Sequence, residues 1–175
     1  NQGYKTLIVE KSLELGGVAN SLTRTWKGEE IGEHLNALKA DVLAHDKIEV
    51  MTGTELTAVS GFVGSFHGEL TRDGGETRDV EFGACVIATG GREFQPENQY
   101  LFGKNERVMT ATDFSARLKE DENFALGLDS AVFIQCVGSR EPDRPYCSRV
   151  CCTHSIESAM AIKERNPESS VYILY

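Results

Sequence analysis

Thr6-Leu7-Ile8-Val9-Glu10, followed by Gly16-Gly17, is the stretch whose reading decides the fold. Four residues, three of them β-branched, lead without a turn signal into a carboxylate, which reads as a short strand buried in a parallel sheet. In a dinucleotide-binding fold, a carboxylate at the end of such a strand accepts hydrogen bonds from ribose hydroxyls. Two glycines a short loop later let the backbone approach a ligand where any side chain would collide. A surface glutamate beside a flexible loop is the plainer reading of the same residues.

Working outward, Ile31, Leu35, Leu38 and Val42 recur at helical spacing, which predicts an amphipathic helix from about Glu30 to Ala44. Trp26, with Arg24 and Lys27, is expected to cover the loop after the glycine pair. The runs Ile48–Met51, Glu55–Gly61, Phe62–Leu70 and Arg78–Phe82 are broken by glycines, and Asp73-Gly74-Gly75 is a hairpin signal, so an antiparallel meander is expected over about 48–82. Cys85-Val86-Ile87-Ala88 reads as a further buried strand emptying into Thr89-Gly90-Gly91, and Cys85 as a core residue. Beyond a loop, Thr112-Asp113 is expected to cap a short helix through Lys119. Ser130–Cys136 reads as a buried strand, about 148–165 as a helix stopped by Asn166-Pro167, and Val171–Tyr175 as a last strand. The order is that of an α/β protein.

The 175 residues carry 18 Lys+Arg against 27 Asp+Glu, a net charge of −9 with no basic run, which argues against nucleic acid as a partner. Hydrophobic residues at 40% and charged ones at 26% exclude a disordered chain. No apolar run approaches the ~20 residues of a transmembrane helix, and no secretory signal is visible, so a cytoplasmic location is expected. Five cysteines are too few for a disulfide scaffold, and four of them crowd into residues 136–152, which points to metal or redox chemistry.

In Val86-Ile87-Ala88-Thr89-Gly90, Thr89 offers a hydroxyl and Gly90 a close backbone approach at the end of a strand. Together with Glu10, Gly16-Gly17 and the inserted meander, this resembles the two-dinucleotide-domain flavoproteins related to pyridine nucleotide-disulfide oxidoreductases. The resemblance implies FAD, with Glu10 on the ribose and Gly16, Gly17, Thr89, Gly90 and the backbone near Leu56 around the cofactor. That family's Gly-x-Gly-x-x-Gly is expected before Thr6 and does not stand there, so the chain reads as an internal piece lacking the first strand and phosphate loop. The Cys-x4-Cys of the disulfide reductases is also missing from the Gly16-Gly17 loop.

Cys136, Cys147, Cys151 and Cys152 are spaced C-x10-C-x3-C-C, delivered by a strand end, a loop and a helix start. At a helix start the backbone N–H groups and the dipole favour thiolate over thiol. An iron–sulfur cluster suits four thiolates at irregular spacing. Tetrahedral zinc, which usually shows two separated Cys pairs, simply buried thiols and a pair of disulfides are the alternatives. His154 reads as a polar helix residue or a hydrogen-bond partner to such a centre rather than a ligand, and Arg140 and Arg149 as its charge balance or as ordinary ion-pair partners.

Phe133-Ile134-Gln135-Cys136-Val137-Gly138-Ser139-Arg140, then Tyr146-Cys147-Ser148-Arg149-Val150-Cys151-Cys152, closely resembles the A subunits of heterodisulfide reductases. Asn166-Pro167 and Val171–Tyr175 match the same family. The resemblance implies a [4Fe-4S] cluster on Cys136, Cys147, Cys151 and Cys152 close to a flavin, although the first loop is shorter than usual there. It implies an oxidoreductase subunit passing electrons within a multi-subunit complex that couples hydrogen, formate or NADH oxidation to disulfide or ferredoxin reduction, and a piece inactive in isolation. Only Gly138 remains where a second nucleotide domain would carry its glycine fingerprint.

The expected architecture is therefore α/β. Residues 1–110 form a partial Rossmann-like FAD domain with the meander inserted, and 111–175 the start of a second nucleotide-binding-like half carrying the cysteines. An NAD(P)H-dependent flavin reductase with structural cysteines and a non-enzymatic metal-binding assembly module are the rival functions.

Overall fold

The computed structural model describes residues 3–25 and 27–175, so the expected role of Trp26 lies outside the described residues. The protein is mixed α/β, and its helices and sheets fall into two compact units. The first comprises the chain through Gly17 and Glu33–Gly91, the second Val18–Gly32 and Arg92–Tyr175.

The first unit opens with β1 (Thr6–Val9). Helix α1 (Ile31–Ala44) follows and leads to β2 (Ile48–Met51). β1 and β2 pair in parallel, Thr6 opposite Ile48 and Val9 opposite Met51. Parallel neighbours need a crossover, and a helix is the usual one. Ile31, Leu35 and Val42 are half-buried while Leu38 is exposed. Ile48–Met51 therefore does not belong to the meander, contrary to the expectation that the meander begins at about residue 48. A short apolar run does not reveal its partner, which here comes from 42 residues upstream.

The meander itself is β3 (Thr54–Phe62), β4 (Ser65–Arg72) and β5 (Thr77–Phe82). They form an antiparallel sheet in the order β3-β4-β5, with a bulge between Leu56 and Ala58. Asp73-Gly74-Gly75 makes the β4–β5 turn, Arg72 and Glu76 closing it through a 2.8 Å backbone hydrogen bond. Leu70 is fully buried, and Phe66 stacks on Phe82 across the strands at 5.5 Å. Gly68 lies between them in β4, where an added Cβ would stand 2.8 Å from Leu56 Cδ1 and 3.0 Å from Phe82 Cε1. This glycine lets apolar side chains from both neighbouring strands close over the middle one.

The buried strand expected at Cys85–Ala88 does not form. Residues 84–96 belong to no helix or strand. Val86 and Ile87 are 88% and 84% exposed, and Cys85 is exposed rather than core. An apolar run becomes a buried strand only where a neighbouring strand supplies hydrogen bonds and a layer covers its faces. None of the described strands is placed to do so here.

The second unit is another β-α-β crossover. β6 (Ser130–Ile134) and β7 (Ser170–Leu174) pair in parallel, linked through α3 (Cys151–Arg165). Helix α2 (Ala111–Glu120) precedes them, capped by Thr110 rather than by Thr112-Asp113. The Thr110 hydroxyl accepts the Asp113 backbone N–H at 3.1 Å, the usual reach from N-cap to N3. Phe114, Leu118, Ala125 and Ile162 form the core, with Phe133 and Val171 of the strands packed against it. Phe114 meets the edges of Phe124 and Phe133 at 5.6 and 5.5 Å, a favourable quadrupolar arrangement. α3 ends where Asn166-Pro167 ends it, and the Asn166 amide donates to the carbonyls of Leu126 (3.2 Å) and Leu128 (3.1 Å). Thus the helix that begins with two cysteines is anchored at its far end and along its buried face.

Candidate functional site

The cysteines sit on the loop between β6 and α3. β6 ends at Ile134, and the ladder extends one step further through Gln135 N–H to Leu174 O at 2.8 Å. Cys136 follows in the left-handed region at φ 60°, so the chain swings out of the sheet at this thiol. The loop then folds back on itself. Glu141 and Arg144 exchange backbone hydrogen bonds of 3.1 and 2.9 Å, and Arg140 N–H reaches Tyr146 O at 3.1 Å. Ser139 Oγ and Ser148 Oγ lie 3.3 Å apart. These contacts bring the two ends of the ten-residue stretch back towards each other.

Two further left-handed residues, Arg140 (φ 59°) and Arg149 (φ 66°), shape the turns. Such conformations in non-glycine residues cost about 1–3 kcal/mol each and concentrate at functional sites. Gly138 (φ 73°) admits the Phe94 ring against its backbone, and Arg144 covers the same ring at 4.9 Å.

All four cysteines are free thiols; Cys136 and Cys151 are half-buried, Cys147 and Cys152 exposed. The Arg149 backbone N–H donates to Cys147 Sγ at 3.3 Å, and Arg140 Nη1 to Cys136 Sγ at 3.7 Å. Cys151 and Cys152 are the first two residues of α3, and Val150 before them makes no side-chain cap. The first-turn N–H groups are thereby left facing the cysteines' end of the helix. Four free cysteines on one loop and helix start, two of them already accepting hydrogen bonds at sulfur, are the donor type of an iron–sulfur or other soft-metal site. Among the described residues, however, no three His, Cys, Asp or Glu side chains stand close enough to share one metal ion.

His154 Nε2 lies 2.6 Å from Ser115 Oγ, joining the first turn of α3 to α2. A contact the sequence did not announce lies next to it: Gln135 Nε2 donates to Ser155 Oγ at 2.6 Å, with both residues buried. The sole sequence signal was a polar residue closing the apolar run that ends at Ile134.

The residues expected to line a nucleotide site are partly gathered. Glu10 continues β1, its N–H bonded to Met51 O at 2.9 Å, and its carbonyl takes the Thr54 N–H at 3.0 Å, which sets it beside the β3 strand that carries Leu56. Glu10 Oε1 accepts the Ser12 N–H at 2.8 Å, folding the loop over the strand end. Gly16 and Gly17 both have positive φ, and a Cβ on Gly17 would meet nothing within 4 Å. Thr89 and Gly90 lie in the extended, exposed stretch, and the space around Gly90 is likewise open. The carboxylate is chemically suited to ribose hydroxyls, but no cradle closes around the two glycine sites.

No protein-family model matches the chain. Curated relatives do. The second of the iron-sulfur A subunits of CoB–CoM heterodisulfide reductase from Methanopyrus kandleri is 53% identical over 113 residues, 57% of this chain and 17% of that protein. The A subunit of the H(2):CoB-CoM heterodisulfide,ferredoxin reductase of Methanothermobacter thermautotrophicus is 22% identical over 264 residues, covering 100% of this chain. The iron-sulfur A subunit of the CoB–CoM heterodisulfide reductase of Methanocaldococcus jannaschii is 23% identical over 265 residues, again across the whole chain.

The curated relatives are heterodisulfide reductase A subunits. The chain spans about 40% of the length of those that match all of it. Those alignments run over 264 and 265 positions for 175 residues, so the heterodisulfide reductase subunits hold residues inside the shared span that this chain lacks. By name the relatives are reductases of a CoB–CoM heterodisulfide and subunits of larger enzymes, and two of the three are called iron-sulfur subunits. No described helix of this chain is long and apolar enough to cross a membrane.

Proposed function

We propose that this chain is an electron-transfer segment of a heterodisulfide reductase-type A subunit, working in the cytoplasm within a multi-subunit redox complex. Cys136, Cys147, Cys151 and Cys152 would hold a [4Fe-4S] cluster, and Glu10, Gly16, Gly17, Leu56, Thr89 and Gly90 would contribute to an FAD site. The observation that carries this reading is the fourfold thiol set on one strand–loop–helix unit, in a chain whose relatives are named iron-sulfur subunits. When bound, the cluster supplies one-electron transfer and the flavin supplies the exchange between electron pairs and single electrons.

The chain's own contribution is placement and charge. The Arg149 amide and the Arg140 guanidinium are already directed at the sulfurs of Cys147 and Cys136, and would donate to them as ligands of a bound cluster. Glu10 would orient the ribose from the end of β1. The two β-α-β crossovers support a reading as parts of two Rossmann-like halves, 1–110 for the flavin and 111–175 for the cluster. Partners would be the other subunits of the complex.

Anaerobic preparation with iron, sulfide and flavin analysis tests the proposal. The expected result is iron and acid-labile sulfide in equal amounts, with absorption near about 400 nm that bleaches on reduction. A colourless protein holding one zinc overturns it, and bound flavin without iron favours the flavin reductase.

A further inference from the structure

Ser155 stands one turn after Cys151 and three residues after Cys152, so all three share one face of α3. Helical side chains lean towards the N-terminus, which turns the Ser155 hydroxyl towards the turn that carries both cysteines. Gln135 is the residue before Cys136, and its amide reaches across to that hydroxyl at 2.6 Å. Gln135 and Ser155 are each less than a tenth exposed. A buried polar side chain that lost its partner would be strongly disfavoured, so this bond fixes where the strand end lies against the helix. On the other side, the 2.6 Å His154–Ser115 contact resists rotation of the same turn. Cys136 itself leaves the sheet at φ 60° and has no regular structure to hold it.

We infer that the Gln135–Ser155 hydrogen bond is a positioning contact that sets Cys136 against the Cys151-Cys152 face of α3. The inference rests on the proposed cluster reading for its purpose, but the placement is a property of the protein without a cluster. A polar pair was needed at this point because an apolar contact would hold the elements together without fixing their register. Gln135 touches no ligand in this account; it acts through Cys136.

The test uses the 175-residue chain, reduced and free of metal, with diamide as oxidant, which takes two electrons and two protons from a thiol pair. Peptide mass mapping identifies the first disulfide formed. In the unaltered protein and in Ser155→Thr, which keeps the hydroxyl, Cys136 is expected to pair with Cys151 or Cys152. In Ser155→Ala and Gln135→Leu that reaction is expected to slow by about tenfold or more, since small misplacements of reacting groups carry large kinetic penalties. Rates are compared where far-UV circular dichroism shows each variant folded. If Gln135→Leu does not fold, Gln135→Met replaces it, and the Ser155→Ala and Ser155→Thr contrast stands independently. Equal rates in all variants, or an unaltered protein in which Cys136 never pairs with the α3 cysteines, overturns the inference. A chain that takes up no iron and sulfide defeats the cluster reading while leaving this thiol measurement intact.

Discussion

Gly138 and Phe94 are in direct contact: a Cβ built on Gly138 would fall 2.4 Å from both Cγ and Cδ1 of the Phe94 ring. The sequence offered Gly138 as the remnant of a phosphate-binding fingerprint. Its place in the structure is to let an aromatic ring from a distant loop lie under the cysteine hairpin, with Arg144 on the ring. Gly138→Ala meets both this collision and a left-handed backbone at φ 73°, and is expected to destabilise the chain by about 2–4 kcal/mol. Chemical denaturation measures it. Because the collision is with the Phe94 ring, the double variant with Phe94→Ala should cost less than the sum of the two single changes.

The cysteines divide four to one. Serine at Cys147, Cys151 or Cys152 is expected to lower iron and sulfide per chain after anaerobic reconstitution, and serine at Cys136 to do the same. Cys85→Ser should leave both contents at the level of the unaltered protein, since Cys85 is exposed and belongs to the first unit, whereas the other four thiols belong to the second. Loss of iron on replacing Cys85, or its retention when Cys151 and Cys152 are both replaced, would contradict the assignment. Treatment with an iron chelator should bleach the loaded protein.

How far the sequence could be read follows from the range of the forces involved. Local signals succeeded: the Asp73-Gly74-Gly75 turn, the stop at Asn166-Pro167 and the helical spacing of Ile31, Leu35 and Val42 all act within a few residues. The strand at Thr6–Val9 was legible too, because its apolar run is met by a parallel partner, but it is half-buried rather than buried as expected. The equally apolar Cys85–Ala88 failed for want of one, and Ile48–Met51 found its partner in β1 rather than in the adjacent meander. Capping by Thr110 instead of Thr112 is a shift of two residues among neighbours of similar chemistry. At the cysteine loop the thiols were visible as letters, but Gln135, Ser155, Phe94 and the left-handed turns depend on contacts across the fold that no short pattern encodes.

Arg78 of β5 pairs with Glu49 of β2 through its two terminal guanidinium nitrogens, Nη1 donating to Oε1 and Nη2 to Oε2 at 3.2 Å. This hydrogen bonding, followed by the Coulomb attraction of the same arginine, holds the Glu49 carboxyl below its ordinary value of 4.5. A carboxyl whose folded value is depressed contributes stability above its unfolded value and loses it as pH falls through the folded one. The contribution therefore fades in the acid range below about pH 4.5. Because the pair is exposed it should be weak and sensitive to salt. In Arg78→Met, the Glu49 side-chain NMR titration is expected to move up towards the ordinary glutamate value; an unmoved titration contradicts the pairing.

Gly61 and Gly64 flank the tip of the β3–β4 hairpin, and they separate backbone strain from steric collision. Both have positive φ, 97° and 90°, so alanine at either pays for an unfavourable backbone, about 1–3 kcal/mol. Around Gly64 an added Cβ would meet nothing within 4 Å, whereas at Gly61 it would stand 2.2 Å from the Ser65 carbonyl oxygen. That oxygen belongs to the paired strand and cannot swing aside as a side chain could. Gly61→Ala is therefore expected to cost about 1–3 kcal/mol more than Gly64→Ala, the usual range for forcing extra volume into packed structure. Paired denaturation curves of the two variants decide it. Equal losses would mean that the hairpin tip yields around Gly61, which would contradict the tight Gly61–Phe66 register on which the meander is built.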